Sequence, residues 1–201
     1  MSGGVTVFTV GHSNHTYREF LELILSANVQ AIADVRSSPF SRYNPHFNGS
    51  TLKSSLRTDR ILYTFLGKEL GGRPSDPRLY DDGVADYERM AMTSEFRIGL
   101  DRIRKGAEQY RVALLCSEQD PLDCHRCLLV GRSLAGTEIS VRHILPSKAT
   151  LSQEEIERQL LYAHSGSNDD MFVPLEQRLA AAYRVRAKKV AFAERMPEAS
   201  A

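Results

Sequence analysis

Tryptophan is absent from the 201 residues, and cysteine is scarce, with three. An odd, small number of cysteines excludes a disulfide framework and favours reduced thiols in the cytoplasm. No stretch approaches the roughly 18 consecutive apolar residues of a membrane-spanning helix. The start, Met1-Ser-Gly-Gly, has no basic region ahead of an apolar run, so no secretory signal is visible. Repeats and low-complexity tracts are also missing, which excludes a repeat array. Neither sign of charge prevails, with 26 Lys and Arg against 25 Asp and Glu. What remains is an ordinary soluble composition, 42% hydrophobic and 25% charged. A chain of this length builds one domain whose core needs no disulfide or metal.

The near-neutral total hides an uneven distribution. Between Arg36 and Arg73 stand seven Lys or Arg and only Asp59 and Glu69, whereas Asp76 to Asp101 holds seven acids against three bases. The first region favours an anionic ligand.

Apolar runs and helical periods alternate along the chain. Val5–Val10 is a β-branched run ending at Gly11-His12-Ser13. Thr16 and Glu19 form a capping box for a helix with Phe20, Leu21, Ile24 and Leu25 on one face. Further strands are expected at 31–36, 61–66, 112–115 and 139–145, with a helix over 94–105 carrying Phe96, Leu100 and Ile103. Strands alternating with helices imply right-handed crossovers. The expected fold is therefore α/β, a single Rossmann-like layered domain with a mainly parallel sheet of about five strands, followed by C-terminal helices. Residues 1–150 hold the α/β domain and 151–201 the helical extension. Ser152 and Glu155 box a short helix to about Tyr162. A polar linker follows at 164–170, and then a long basic helix over 174–195 with Leu175, Leu179, Tyr183 and Val190 on one side. That helix has three available roles: docking on the domain, contacting nucleic acid, or forming a homodimer.

The densest chemistry lies in Cys116-Ser-Glu-Gln-Asp-Pro-Leu-Asp-Cys-His-Arg126, between an apolar strand and a helix. In parallel α/β sheets, ligands gather beyond the carboxyl ends of the strands. Asp123 is the expected N-cap, placing Cys124, His125 and Arg126 in a first helical turn that favours an anion. The other motifs also follow strands: Gly11-His12-Ser13, Asp34-Val35-Arg36 with Pro39, Ser41 and Arg42, and the Gly67–Arg73 loop.

Taken together, these motifs resemble the domain-of-unknown-function family 488, over roughly residues 5–146. The resemblance implies a small cytosolic α/β domain whose marked residues line one pocket, and no activity comes with it. Cys127, which completes Cys-His-Arg-Cys, is not part of the family pattern.

Residue types suggest roles. His12, Asp34 and Glu118 are candidate acid–base groups, and Asp34 and Glu118 would share a raised pKa if they met across the sheet. Cys124 is a candidate thiolate nucleophile at a helix start, with His125 or His12 as base and Cys116 as resolving thiol. Arg36, Arg42, Arg73 and Arg126 are candidates for two-pronged recognition of phosphate or carboxylate, with Ser13 nearby. Tyr43 and Phe47 are candidates for stacking on a base. A zinc site built on Cys124 and Cys127 would need adjacent Cys124 and His125 to point the same way from one helical turn, so neither metal nor cofactor is expected.

The leading expectation is an enzyme acting on a nucleotide-like or nucleic-acid substrate, its phosphate held by the arginines and the helix N-terminus, using carboxylate and histidine chemistry, for example at an N-glycosidic bond. The alternatives are a cysteine-dependent thiol enzyme and a non-catalytic module for nucleic acid or a phosphorylated metabolite. Partners are then an anionic substrate and no membrane, and the location is cytoplasmic.

Overall fold

The computed structural model describes residues 4–166 and 172–194. In chain order its strands are β1 (Thr6–Gly11), β2 (Ala31–Asp34), β3 (Leu62–Phe65), β4 (Tyr80–Asp81), β5 (Val84–Ala85), β6 (Val112–Cys116), β7 (Ser140–Ile144) and β8 (Thr150–Ser152). The helices are α1 (Tyr17–Ser26), α2 (Gly49–Thr58), α3 (Gly67–Leu70), α4 (Tyr87–Ala91), α5 (Ser94–Ala107), α6 (Arg132–Ala135), α7 (Gln153–Ser165) and α8 (Leu175–Val190). All five expected strands form. They are joined by an unexpected sixth, β8, in the order β3-β2-β6-β1-β7-β8. Every neighbouring pair is parallel except β7 with β8. The fold is the Rossmann-like α/β class read from the strand–helix alternation.

Side chains alternate across the sheet with the period of two that a strand imposes. Val7, Ala33, Val112, Leu114 and Cys116 face one layer, packed with Phe96 and Ile103 of α5 and with Leu128 and Leu129. Phe8, Val10, Ile32, Ala113 and Leu115 face the other, against α1 and α2. On α1 the buried face is Phe20, Leu23 and Ile24. Leu25, expected inside, is half exposed, because the stripe runs i, i+3, i+4 from Phe20.

The connections place the site. The chain leaves β1 and β2 for α1 and α2 on one face, and leaves β6 for Leu128–Val130 and α6 on the other. The central strand β6 thus lies between two strands whose connections run to the opposite face. A crevice opens at such a switch point, beyond the carboxyl ends of the strands.

The C-terminal part joins the same core. Leu160, Ala182 and Tyr183 belong to the α5-side cluster. The expected helix over 174–195 ends at Val190, and residues 191–194 run on as extended chain, while Arg195 and most of the 164–170 linker lie outside the described residues. The acid-rich segment meets the basic helix, where Arg184 pairs with Glu88 and Lys188 with Asp81, while Arg186 pairs with Asp123 of the Cys116–Arg126 loop. Part of the acidic excess of residues 76–101 is thus matched by α8. Beyond α8, Phe192 O accepts from Ala85 N and Glu194 N donates to Gly83 O, so the tail pairs with the β4–β5 hairpin. Leu175 and Val185 remain exposed on α8.

Candidate functional site at the end of the central strand

Two glycines allow the loops to close up. An added Cβ on Gly11 would lie 1.8 Å from the Glu118 carbonyl oxygen. One on Gly72 would lie 2.9 Å from the His125 ring. No side chain fits at the first position without moving the Cys116–Arg126 loop, which gives the Gly11-His12-Ser13 motif a steric reason. His12 N and Ser13 N then donate to Cys116 O and Ser117 O, extending the β1–β6 pairing past the strands.

The Cys116–Arg126 loop differs from its expected form. Asp120, not Asp123, caps a single 3-10 turn over Pro121–Asp123. Cys124 is extended (φ −139°, ψ 139°). Its carbonyl accepts from Cys127 N and Leu128 N, and its sulfur accepts from Arg126 N at 3.4 Å. The following Arg126–Gly131 segment is π-helical, a form that occurs mostly as short bulges and often at functional sites. With the helix beginning after Cys124, adjacent Cys124 and His125 turn their side chains to the same place, which an ideal helical turn would forbid.

Cys116 Sγ lies 3.6 Å and Cys124 Sγ 3.9 Å from His125 Nδ1. His125 Nε2 is 2.9 Å from the Val35 carbonyl, which can only accept, so Nε2 carries the proton and Nδ1 faces the sulfurs. All three residues are buried. The thiols divide the proton unequally. A hydrogen bond from Cys124 and the positive charge of Arg126 hold Cys116 below an ordinary thiol, against burial. Burial and that same hydrogen bond push Cys124 well up. The thiolate is thus favoured on Cys116, reversing the roles read from helix position. Burial opposes charge on His125, but its contact with Cys124 carries its pKa up. Cys127 faces Gln153 instead, and burial raises it to about 12.

Cys116, Cys124 and His125 form part of the wall of a cavity of about 290 Å³, together with Arg36, Arg73 and Glu118. Residues not read as site residues from the sequence complete it, notably Ser37, Tyr87, Val190 and Phe192. Ser37 and Gly72 lie inside quoted motifs and were legible there. Tyr87, on α4, and Phe192, brought in by the docking of the tail, carried no signal, and the Arg73 guanidinium stacks 4.7 Å from the Phe192 ring centre.

Other candidates are placed elsewhere. Asp34 is fully buried and accepts from Arg36 Nε at 2.9 Å, Arg36 Nη2 at 2.5 Å and Tyr63 Oη at 2.8 Å. No Asp34–Glu118 contact exists among the described residues, and Glu118 is exposed. Arg126 is fully buried, and its guanidinium donates to the Glu118 and Gln119 carbonyls and to Thr9 Oγ1, with no face toward the cavity. Phe47 is a core residue stacked 4.3 Å from the His12 ring, so it offers no surface to a base. Tyr43 is 94% exposed and, with exposed Arg42, stands outside the cavity. Ser13 sits at positive φ, and its hydroxyl donates to Gln119 Oε1 at 3.5 Å.

Two buried histidines stay neutral. Burial lowers both His12 and His143 to about 4. His143 bridges Thr9 and Gln153 inside a chain of bonds that runs from Arg126 to Tyr183. Because the unfolded chain binds protons near ~6.5, it takes up more of them than the native state as pH falls. Stability is therefore full above ~6.5 and is lost between there and pH 4, by up to about 3 kcal/mol for each histidine. Urea unfolding across that range should show the fall, and His143→Gln should flatten it. An unchanged profile in that variant would remove His143 from the account.

The family model described as "Domain of unknown function DUF488" matches residues 16–132. That is more than half of the chain. The protein belongs to this family. The matched span carries Asp34 to Arg36, the Gly67–Arg73 loop and the whole Cys116–Arg126 loop, whereas Gly11-His12-Ser13 and β7 lie outside it. No curated protein and no solved structure matches the chain. No described helix is long and apolar enough to cross a membrane.

Proposed function

We propose that this family member is an enzyme whose reacting centre is the Cys116–Cys124–His125 cluster and whose substrate is a small anion, such as the phosphate end of a nucleotide. The observation that carries this reading is the shared cavity: two thiols, an imidazole nitrogen, Arg36, Arg73 and Glu118 all border it. A volume of about 290 Å³ suits a metabolite-sized group rather than an oligonucleotide. The acid–base scheme on His12 and Asp34 is less favoured, because both are committed to internal bonds. In the metal-free protein Cys116, whose thiol is held below the ordinary range with Cys124 and His125 beside it, is the candidate nucleophile of the cluster.

The test is alkylation of the reduced, chelator-treated full chain with iodoacetamide, followed by mass spectrometry. Cys116 is expected to react first and to keep reacting below the ordinary thiol pKa of ~8.5. Inorganic phosphate or a nucleoside monophosphate should slow it, and Arg73→Ala should remove that protection. Equal labelling of the three cysteines, or labelling indifferent to phosphate, would overturn the proposal.

A further inference from the structure

Cys116, Cys124 and His125 present their sulfur and nitrogen atoms within 4.8 Å of one another. We propose that they form a three-ligand site for a thiophilic divalent cation of the zinc class, with the fourth position open to the cavity. The inference rests on the reading of that cavity as the reacting centre, and adds an ion to it.

Geometry carries the argument. Ligand bonds of about 2.3 Å to sulfur and 2.05 Å to nitrogen, at tetrahedral angles, put sulfur about 3.6 Å from nitrogen. The two sulfur–nitrogen separations are 3.6 and 3.9 Å. The imidazole is also prepared as a ligand. Its far nitrogen donates to the Val35 carbonyl, the supporting bond that fixes the tautomer of metal-binding histidines and aims the bare nitrogen at the ion. Gly72 pressed against the ring holds its orientation. Two sulfurs and one imidazole favour zinc, and disfavour the oxygen-seeking magnesium and calcium.

Among the described residues no fourth His, Cys or carboxylate joins the cluster. Cys127 faces Gln153 and Asp123 is paired with Arg186. Three protein ligands with an open position are the pattern of zinc sites that bind water or substrate, where the ion polarises an oxygen. Uptake displaces the remaining thiol proton, so affinity falls as pH falls.

Cobalt(II) serves as the probe, added to the full chain after phosphine reduction and chelator treatment. One cobalt per chain with thiolate-to-cobalt charge-transfer absorption, displaced by zinc, is the expected result. Cys116→Ser and His125→Ala should each weaken uptake by more than roughly 100-fold, beyond the loss of a supporting bond. Cys127→Ser should bind as the wild type does. The wild-type spectrum needs no variant, so misfolding of a variant cannot shield the proposal. Absence of the thiolate band in the reduced wild type would overturn it, as would loss of the band in Cys127→Ser with retention in Cys116→Ser. Phosphate protection of Cys116 without a cobalt band removes the metal site and leaves the anion pocket. A cobalt band without protection removes the anion pocket and leaves the metal site.

Discussion

Arg126→Ala is expected to lower the free energy of unfolding by about 3–5 kcal/mol. The guanidinium is fully buried and holds the Glu118 and Gln119 carbonyls and Thr9 Oγ1. Its removal leaves those acceptors dry and frees the loop that carries Cys116 and Cys124. For a chain of this size, each kcal/mol moves the melting temperature by roughly 2–4 °C, so a fall of about 6–20 °C should appear. Denaturant titration of the variant decides the matter. A surface arginine used only to hold substrate would change stability by no more than ~0.5 kcal/mol, and that result would return Arg126 to the binding role its position in the sequence suggested.

Asp34→Asn should be comparably severe, at about 3–5 kcal/mol, because it strands a buried cation. Arg36 is 4% exposed and its bidentate partner is gone in that variant. Removing both charges with Asp34→Asn and Arg36→Met should cost clearly less than the sum of the single changes, as expected for a coupled pair. Tyr63→Phe, which deletes one hydrogen bond to the same carboxylate, should cost about 1 kcal/mol. If Asp34→Asn instead left unfolding unchanged, the carboxylate would be free for acid–base chemistry and the structural account of it would fail.

These two residues mark the limit of reading function from residue type. A carboxylate or guanidinium after a strand looks the same in sequence whether it meets substrate or the protein itself. Arg126 and Asp34 were legible as belonging at the carboxyl edge of the sheet. Their distant partners were not, since Thr9 and Tyr63 reach them only through strand order. Phe47 is similar: an aromatic in a basic loop suits base stacking, yet the same apolar ring is worth more in the core against Phe20 and His12. The thiols show the reverse case. Helix position alone made Cys124 the activated one, but the pair shares a proton, and the surroundings of Cys116 favour the charge there.

By itself the sequence determined the α/β class, the five principal strands and the gathering of polar motifs after them, because apolar period and capping chemistry are local. It also determined that Cys116, Cys124 and His125 belong to one loop. Tertiary structure decided the rest. The strand order set β6 between β1 and β2, and the extended backbone at Cys124 turned neighbouring side chains toward one point. Docking of α8 carried Val190 and Phe192 to the cavity, through ion pairs with an acidic segment some hundred residues earlier. Those outcomes depend on contacts between distant parts of the chain, whose geometry no local pattern encodes.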